Sequence, residues 1–196
     1  MFLQCRSAGE RQKWGIAFGP SPKPQDSKSS TVNLKEIPYT DQPIDIFTRL
    51  EGCSDYAYLL ESAEGPERLA RFTFIGFAPQ SVISVKDHVA RITNPSGEEY
   101  RETISPLGIL RDKVQRNPLP LNRFRLAGGA VGYISYDAVR YWEDIPESAE
   151  DDLGFPDLEM AVFDDGIVFD HTDRSAYYYF QGRNRLAEIR GAVQDV

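Results

Sequence analysis

The sequence predicts an α+β fold of antiparallel, sandwich-like β-sheets with about three flanking helices. Seven to nine short runs rich in Val, Ile, Phe and Tyr are separated by Gly, Pro, Asn and Asp turn residues. Only three stretches carry helical periodicity. The links between runs are mostly hairpin-sized, with no regular βαβ alternation and no internal repeat, so a Rossmann or barrel reading is poor.

Residues 1–31 stand apart. Gly19-Pro-Ser-Pro-Lys-Pro-Gln-Asp-Ser-Lys-Ser-Ser30 is proline- and serine-rich, which reads as a disordered or appended leader. Trp14, Ile16 and Phe18 alternate as in an edge strand, but they fall inside that leader. The globular pattern starts near Val32 and defines one domain over 32–196.

A first helix is expected over 41–50. Thr40 or Asp41 serves as cap, Pro43 fits the first turn, and Ile44, Phe47 and Leu50 share a face. Strands follow at 56–61 and 71–77, joined by a polar turn at 63–67. A hairpin of 81–85 and 89–93 surrounds Lys86-Asp-His88, and an edge strand follows Asn94-Pro-Ser-Gly97. A second helix opens with Ser105 as cap and Pro106 as first residue, shows Leu107, Leu110 and Val114 on one face, and ends at Asn117-Pro118. A loop at 118–120 leads to Gly128-Gly-Ala-Val-Gly-Tyr-Ile-Ser-Tyr-Asp137, whose small residues imply close backbone packing. Tyr141-Trp-Glu143 closes a short helix, and the acidic stretch 144–152 is a solvated loop. Three runs at 158–163, 167–169 and 176–180 read as an antiparallel meander, with turns at 164–166 and 172–175. A last helix is expected over 184–196, with Leu186, Ile189 and Val193 inward.

Composition narrows the function. The chain has 196 residues, 41% hydrophobic and 27% charged, enough to bury a core without staples. Its net charge is −8, from 22 basic and 30 acidic residues, so it lacks the basic face that nucleic acid or an anionic membrane would need. No apolar run is long enough to span a bilayer, and no signal-peptide core is present. Cys5 and Cys53 form no CxxC pair and read as free thiols of a reducing, cytoplasmic compartment. His88 and His171 lack ligand-like spacing, which argues against a zinc site. Gly128, Gly129 and Gly132 are spaced wrongly for a phosphate cradle, and no GxSxG or P-loop lysine occurs.

The stretch around residues 58–79 is the one the chain is organised around. Glu61 and Ser62 end its first strand and Arg71 begins its second. A carboxylate, a hydroxyl and a guanidinium at the end of two paired strands make a small polar site over an apolar floor, suited to an amino acid. The alternative is a hairpin whose end residues are only solvated. Glu61, beside aromatic side chains, either pairs with Arg71 or a similar arginine, or takes a cation such as an ammonium group. From these residues no enzyme can be named.

Two longer signatures add to this reading. Leu59-Leu-Glu-Ser62 with Ala70-Arg-Phe-Thr-Phe-Ile-Gly-Phe-Ala-Pro79 closely resembles the N-terminal domain of anthranilate synthase component I, in the chorismate-utilising enzyme family. Gly128-Gly-Ala-Val-Gly-Tyr-Ile-Ser-Tyr-Asp137 resembles a second signature of that family, and Phe155-Pro-Asp157 ahead of a meander agrees with it. The resemblance implies a role in tryptophan biosynthesis, in a lyase that converts chorismate and ammonia to anthranilate and pyruvate. It implies a glutamine amidotransferase partner, component II. Chorismate and Mg2+ would be held by a C-terminal chorismate-binding domain outside this chain, so this chain is expected to have no catalytic residues, to bind no cofactor itself and to be catalytically incomplete. It further implies that Leu60, Glu61 and Ser62 contribute to a tryptophan feedback site, with Arg71 in a supporting ion-pair or packing role. The close rival is the N-terminal domain of aminodeoxychorismate synthase component I. A free-standing small-molecule-binding module is the rival from another class.

Overall fold

The computed structural model describes residues 32–61, 71–114, 124, 126–146 and 150–194. The expected leader at 1–31, Ser62, the turn at 63–67 and the loop at 118–120 lie outside the described residues. The chain divides into two compact units. The first takes the described residues of 1–79, 116–129 and 163–196, the second those of 80–115 and 130–162. Each unit is built on one five-stranded sheet, in keeping with the antiparallel α+β class.

In the first unit, β1 (Asn33–Ile37), β2 (Ala57–Leu60), β3 (Phe72–Phe77), β9 (Asp165–Asp170) and β10 (Ser175–Phe180) lie in the order β1-β10-β9-β3-β2, and each neighbouring pair is antiparallel. β9 is central and every residue of it is buried. One face of the sheet, with Ile75, Phe77, Ile167, Phe169 and Tyr178, packs with Ile46 and Leu50 of helix α1 (Pro43–Glu51) and with Ile189, Ala192 and Val193 of the C-terminal segment. The other carries Val168 and Tyr179, with Phe72, Phe74 and Tyr177 against Phe124.

Glycine explains how aromatic side chains lie flat on this sheet. Tyr58 faces Gly76 across the β2–β3 pair. A Cβ on Gly76 would fall 2.0 Å from Tyr58 Cε1, so the ring occupies the space that a side chain there would need. The Tyr58 hydroxyl meets that of Tyr179 at 3.2 Å, and its ring lies edge-on to Phe163 at 4.9 Å.

In the second unit, β4 (Ser81–Lys86), β5 (Val89–Asn94), β6 (Gly97–Glu102), β7 (Gly129–Ile134) and β8 (Leu158–Phe163) run β6-β5-β4-β8-β7. Ile83, Val85, Ala90, Ile92, Leu158 and Val162 form its core, and Ile109 and Leu110 of helix α2 (Pro106–Lys113) pack on it. The expected close packing at Gly132 is present: a Cβ there would stand 1.9 Å from the carbonyl oxygen of Glu159. A 3₁₀ helix, Tyr136–Tyr141, follows β7 and is capped by the Ser135 hydroxyl, which accepts from the Ala138 N–H at 3.3 Å.

Several local expectations change. β1, an edge strand with one fully buried side chain, Ile37, lacks the alternation that would reveal it. α1 buries Pro43, Ile46 and Leu50, while Ile44 is 44% exposed, because the buried stripe follows Ile46 and Leu50 four residues apart rather than a strict three-residue step. Its N-cap is Gln42, which makes no side-chain cap bond; Thr40 instead accepts from the Gln42 N–H and Asp41 pairs with Arg174. In α2, Leu107 faces outward, and the helix ends at Lys113, where Val114 turns extended. The meander is also redrawn, since β8 pairs with β4 and not with β9. Only Asp164 separates β8 from β9, and one residue is too short for a hairpin turn. The last helix is confined to α3 (Arg190–Gln194), though Ile189 and Val193 do point inward. Cys53 is a free, half-buried thiol whose burial pushes its pKa up, and Cys5 lies outside the described residues.

Candidate functional site

β2 leaves the first sheet after Leu60, and the next residue is Glu61. The pairing of Leu60 with Phe74 sets Glu61 across from Thr73 at the start of β3. Thr73 is fully buried and donates its hydroxyl hydrogen to Glu61 Oε1 at 3.0 Å. Glu61 itself is exposed, and Leu60, the residue before it, is half-buried. Ser62 lies outside the described residues.

On the other side of β3, β9 pairs Phe169 with Thr73, and His171 directly follows the strand. The His171 backbone N–H donates to the Arg71 carbonyl at 2.9 Å, which fixes the residue over the end of β3. Its Nε2 then lies 2.8 Å from Thr73 Oγ1 and its Nδ1 lies 3.0 Å from the Tyr39 hydroxyl. The imidazole stacks on Phe169, centroids 6.5 Å apart at 11°, and Tyr39 meets both rings edge-on.

Two ion-paired arginines flank this line. Arg71 gives Asp170 two parallel hydrogen bonds, from Nε at 3.0 Å and from Nη2 at 2.7 Å, and also reaches Asp173 at 3.2 Å. Asp170 is fully buried, whereas Arg71 is half-exposed and holds its guanidinium 4.9 Å from the Phe72 ring centroid. Arg174 binds Asp41 through two bonds at 3.1 and 2.9 Å and lies 5.0 Å over the Tyr39 ring. The Asp170 hydrogen bonds push the Arg71 pKa up. Arg174 pulls the Asp41 carboxyl down. Partial burial raises the Tyr39 phenol, and nearby Asp41 raises it further.

The Arg71–Glu61 pair allowed for by the sequence does not form, because Arg71 is turned to Asp170 and Asp173. Glu61 is held instead by a neutral hydroxyl. A carboxylate held this way keeps its charge uncompensated by any described side chain bonded to it, and that charge suits a cationic group such as an ammonium. Sequence reading missed Thr73, His171, Tyr39 and Asp170. Thr73 carried the only local signal, two positions after Arg71 in a strand. The others converge through strand register.

Among the described residues no cluster of three or more His, Cys, Asp or Glu side chains is arranged to hold a metal ion. No described helix is long and apolar enough to cross a membrane.

A polar rim at the end of an antiparallel sheet is what this α+β protein presents at Glu61. Residues 55–196 match the family described as chorismate binding enzyme, and the chain belongs to that family. Among its relatives is the anthranilate synthase component 1 of Methanothermobacter thermautotrophicus, 35% identical over 163 residues, covering 83% of this chain and 34% of the relative. That of Acetivibrio thermocellus is 36% identical over 143 residues, covering 71% of this chain and 28% of the relative. The crystal structure of anthranilate synthase component I from Streptococcus pneumoniae TIGR4 aligns with a TM-score of 0.51 at 22% identity, covering 69% of this chain and 29% of that one, and so shares the fold. The chain spans about a third of the length of the curated relatives it matches.

Proposed function

We propose that this chain is the N-terminal regulatory domain of an anthranilate synthase component I and contributes part of a tryptophan feedback site. The observation that carries the reading is the exposed Glu61 carboxylate, fixed at the end of β2 by a buried threonine. An α-amino acid brings an ammonium to that carboxylate through charge-assisted hydrogen bonds. Leu60 and Ser62 are the neighbouring contacts in this reading. Arg71, already neutralised by Asp170, supports the strand ends rather than the ligand.

The activity served is the conversion of chorismate and ammonia to anthranilate and pyruvate, with ammonia supplied by the glutamine amidotransferase component II. The chorismate- and Mg2+-binding chemistry belongs to polypeptide outside these residues. Tryptophan regulates only if it binds one arrangement of the protein better than another. Support comes from the relatives' identity and from the geometry of Glu61.

The test is a tryptophan titration of the chain followed by NMR, sensitive to millimolar dissociation constants. Shifts at Leu60, Glu61 and Thr73 that vanish in Glu61→Ala are expected. Equal binding by the parent and Glu61→Ala overturns the site. Anthranilate fluorescence from this chain alone with chorismate, Mg2+ and ammonia overturns the regulatory role.

A further inference from the structure

The two hydrogen bonds behind Glu61 have a fixed proton order. An ionised carboxylate only accepts, so the Thr73 hydroxyl must give its one hydrogen to Glu61. The Thr73 oxygen can then only accept from His171, which places a proton on Nε2. The Nδ1 link has two arrangements: a bare Nδ1 accepts the Tyr39 hydroxyl hydrogen, and a protonated Nδ1 donates to the Tyr39 oxygen while that hydroxyl turns to Asp41. The two links next to Glu61 are thus fixed, and both hydrogens point toward it.

We propose that Thr73 and His171 are positioning residues for Glu61, and that a cation taken up by Glu61 and a second proton on His171 oppose each other. This rests on reading Glu61 as the acceptor of a ligand ammonium. A second proton on Nδ1 forces the Tyr39 oxygen to become an acceptor and turns its hydrogen toward Asp41, the carboxylate already acting on that phenol. The imidazolium then stands one threonine away from Glu61 and competes with an incoming ammonium for the same charge. The charged and titratable groups around His171 are Tyr39 and Asp41 after β1, Glu61 after β2, Arg71 before β3, Asp170 ending β9, and Asp173 and Arg174 in the turn to β10. Arg71 and Arg174 are committed to Asp170, Asp173 and Asp41, so Glu61 is the carboxylate through which His171 and a ligand are coupled.

The chain contains only two histidines, so ¹⁵N-histidine NMR reads the proton order directly, with His88→Gln assigning the signals. His88 Nδ1 faces the Thr103 carbonyl at 3.3 Å and should favour the opposite tautomer, an internal contrast. Without ligand, neutral His171 is expected as the Nε2–H form. That preference should weaken in Glu61→Gln, whose amide can donate to the Thr73 oxygen and free the hydroxyl hydrogen for Nε2. Thr73→Val should abolish that response and weaken tryptophan binding by about tenfold, the scale of a hydrogen bond to a charged group. Thr73→Ser, which keeps the hydroxyl, should restore both.

Tryptophan at saturation should disfavour the doubly protonated form of His171, and adding that second proton should weaken tryptophan by the same factor. For two cations about 8 Å apart that factor lies between about twofold and about thirtyfold for effective dielectric constants of about 80 to about 20. Indole-3-propionate, which lacks the ammonium, should leave His171 unmoved. An Nδ1–H tautomer at His171, or no response to Glu61→Gln, overturns the proton order. Tryptophan binding that is indifferent to His171 protonation overturns the opposition while the feedback reading survives. A chain that shows the Nε2–H form and the Glu61→Gln response yet takes no tryptophan overturns the feedback reading, and with it the opposition, while the proton order stands.

Discussion

Replacing Arg185 with Met should remove a large share of the stability of the first unit. Arg185 Nε donates to Asp165 Oδ2 at 2.8 Å, and Nη2 makes the second bond of the fork to Oδ1. Nη2 also reaches the Phe77 carbonyl at 3.3 Å, and the guanidinium lies 4.9 Å over the Phe77 ring. The side chains are 12% and 3% exposed, so solvent does little to screen the pair. Burial lowers the Arg185 pKa, but the Asp165 hydrogen bonds and charge outweigh it, and the net shift is upward. Asp165 additionally accepts from the Tyr178 hydroxyl, whose pKa is raised by burial and then by the Asp165 charge. Without Arg185, Asp165 would be a buried anion with only neutral donors, which costs about 3–5 kcal/mol. A domain of this kind holds only about 5–15 kcal/mol in total. Urea unfolding at pH 8 measures the loss. The double variant Arg185→Met/Asp165→Asn should regain most of it, since the amide still accepts from Tyr178. A loss under about 1 kcal/mol at pH 8, or no recovery in the double variant, would refute this reasoning.

Asp164 gives a pH test of opposite sign to ordinary acid unfolding. Burial, reinforced by the Asp165 charge and opposed by Arg185, raises its carboxyl to about 6. Its unfolded value is about 3.9, so the native state binds more protons between these values and stability falls as pH rises through the window, by about 3 kcal/mol in all. Depressed carboxyls such as Asp41 contribute the reverse slope, but they cancel in a comparison of parent with Asp164→Asn, whose difference in unfolding free energy should change by most of that amount, about 2 kcal/mol, between pH 4 and pH 7. Gly132→Ala should cost at least about 2 kcal/mol by thermal or urea unfolding, because the obstruction is the Glu159 backbone oxygen rather than a movable side chain. Gly76→Ala should cost about 1–3 kcal/mol and should be visible in the near-ultraviolet circular dichroism, since the Tyr58 ring must leave its place.

The class of fold and the seven clearest strands were legible because their residues alternate or cluster as a pleated, half-buried surface requires. β1 was not, since four of its five residues are not buried and its place is dictated by its pairing with β10. The exchange of β8 between partners was hidden for a related reason. Local pattern says that 158–163 is a strand, but only the single-residue link at Asp164 shows that it cannot fold back on β9.

The same distinction separates the two halves of the candidate site. Glu61 could be picked out because an acidic residue directly follows an apolar run, which is a local oddity. Its partners could not, because Tyr39, Thr73 and His171 are each ordinary in their own surroundings. Thr73 and His171 reach it because β3 lies between β2 and β9: the first pairing brings Glu61 to Thr73, and the second brings His171 to the other side of that hydroxyl, while Tyr39 follows β1, which pairs with β10. Burying Thr73 between them leaves its hydroxyl no water to bond, so both neighbours become obligatory partners and the order of hydrogens follows from valence. A register shift by one residue would turn Thr73 to the other face of the sheet and separate all three groups at once. The specificity of this corner therefore resides in the β2–β3–β9 register as much as in the identity of Glu61, and substitutions along those strands that disturb pairing should disarm the site without touching a single one of its polar residues.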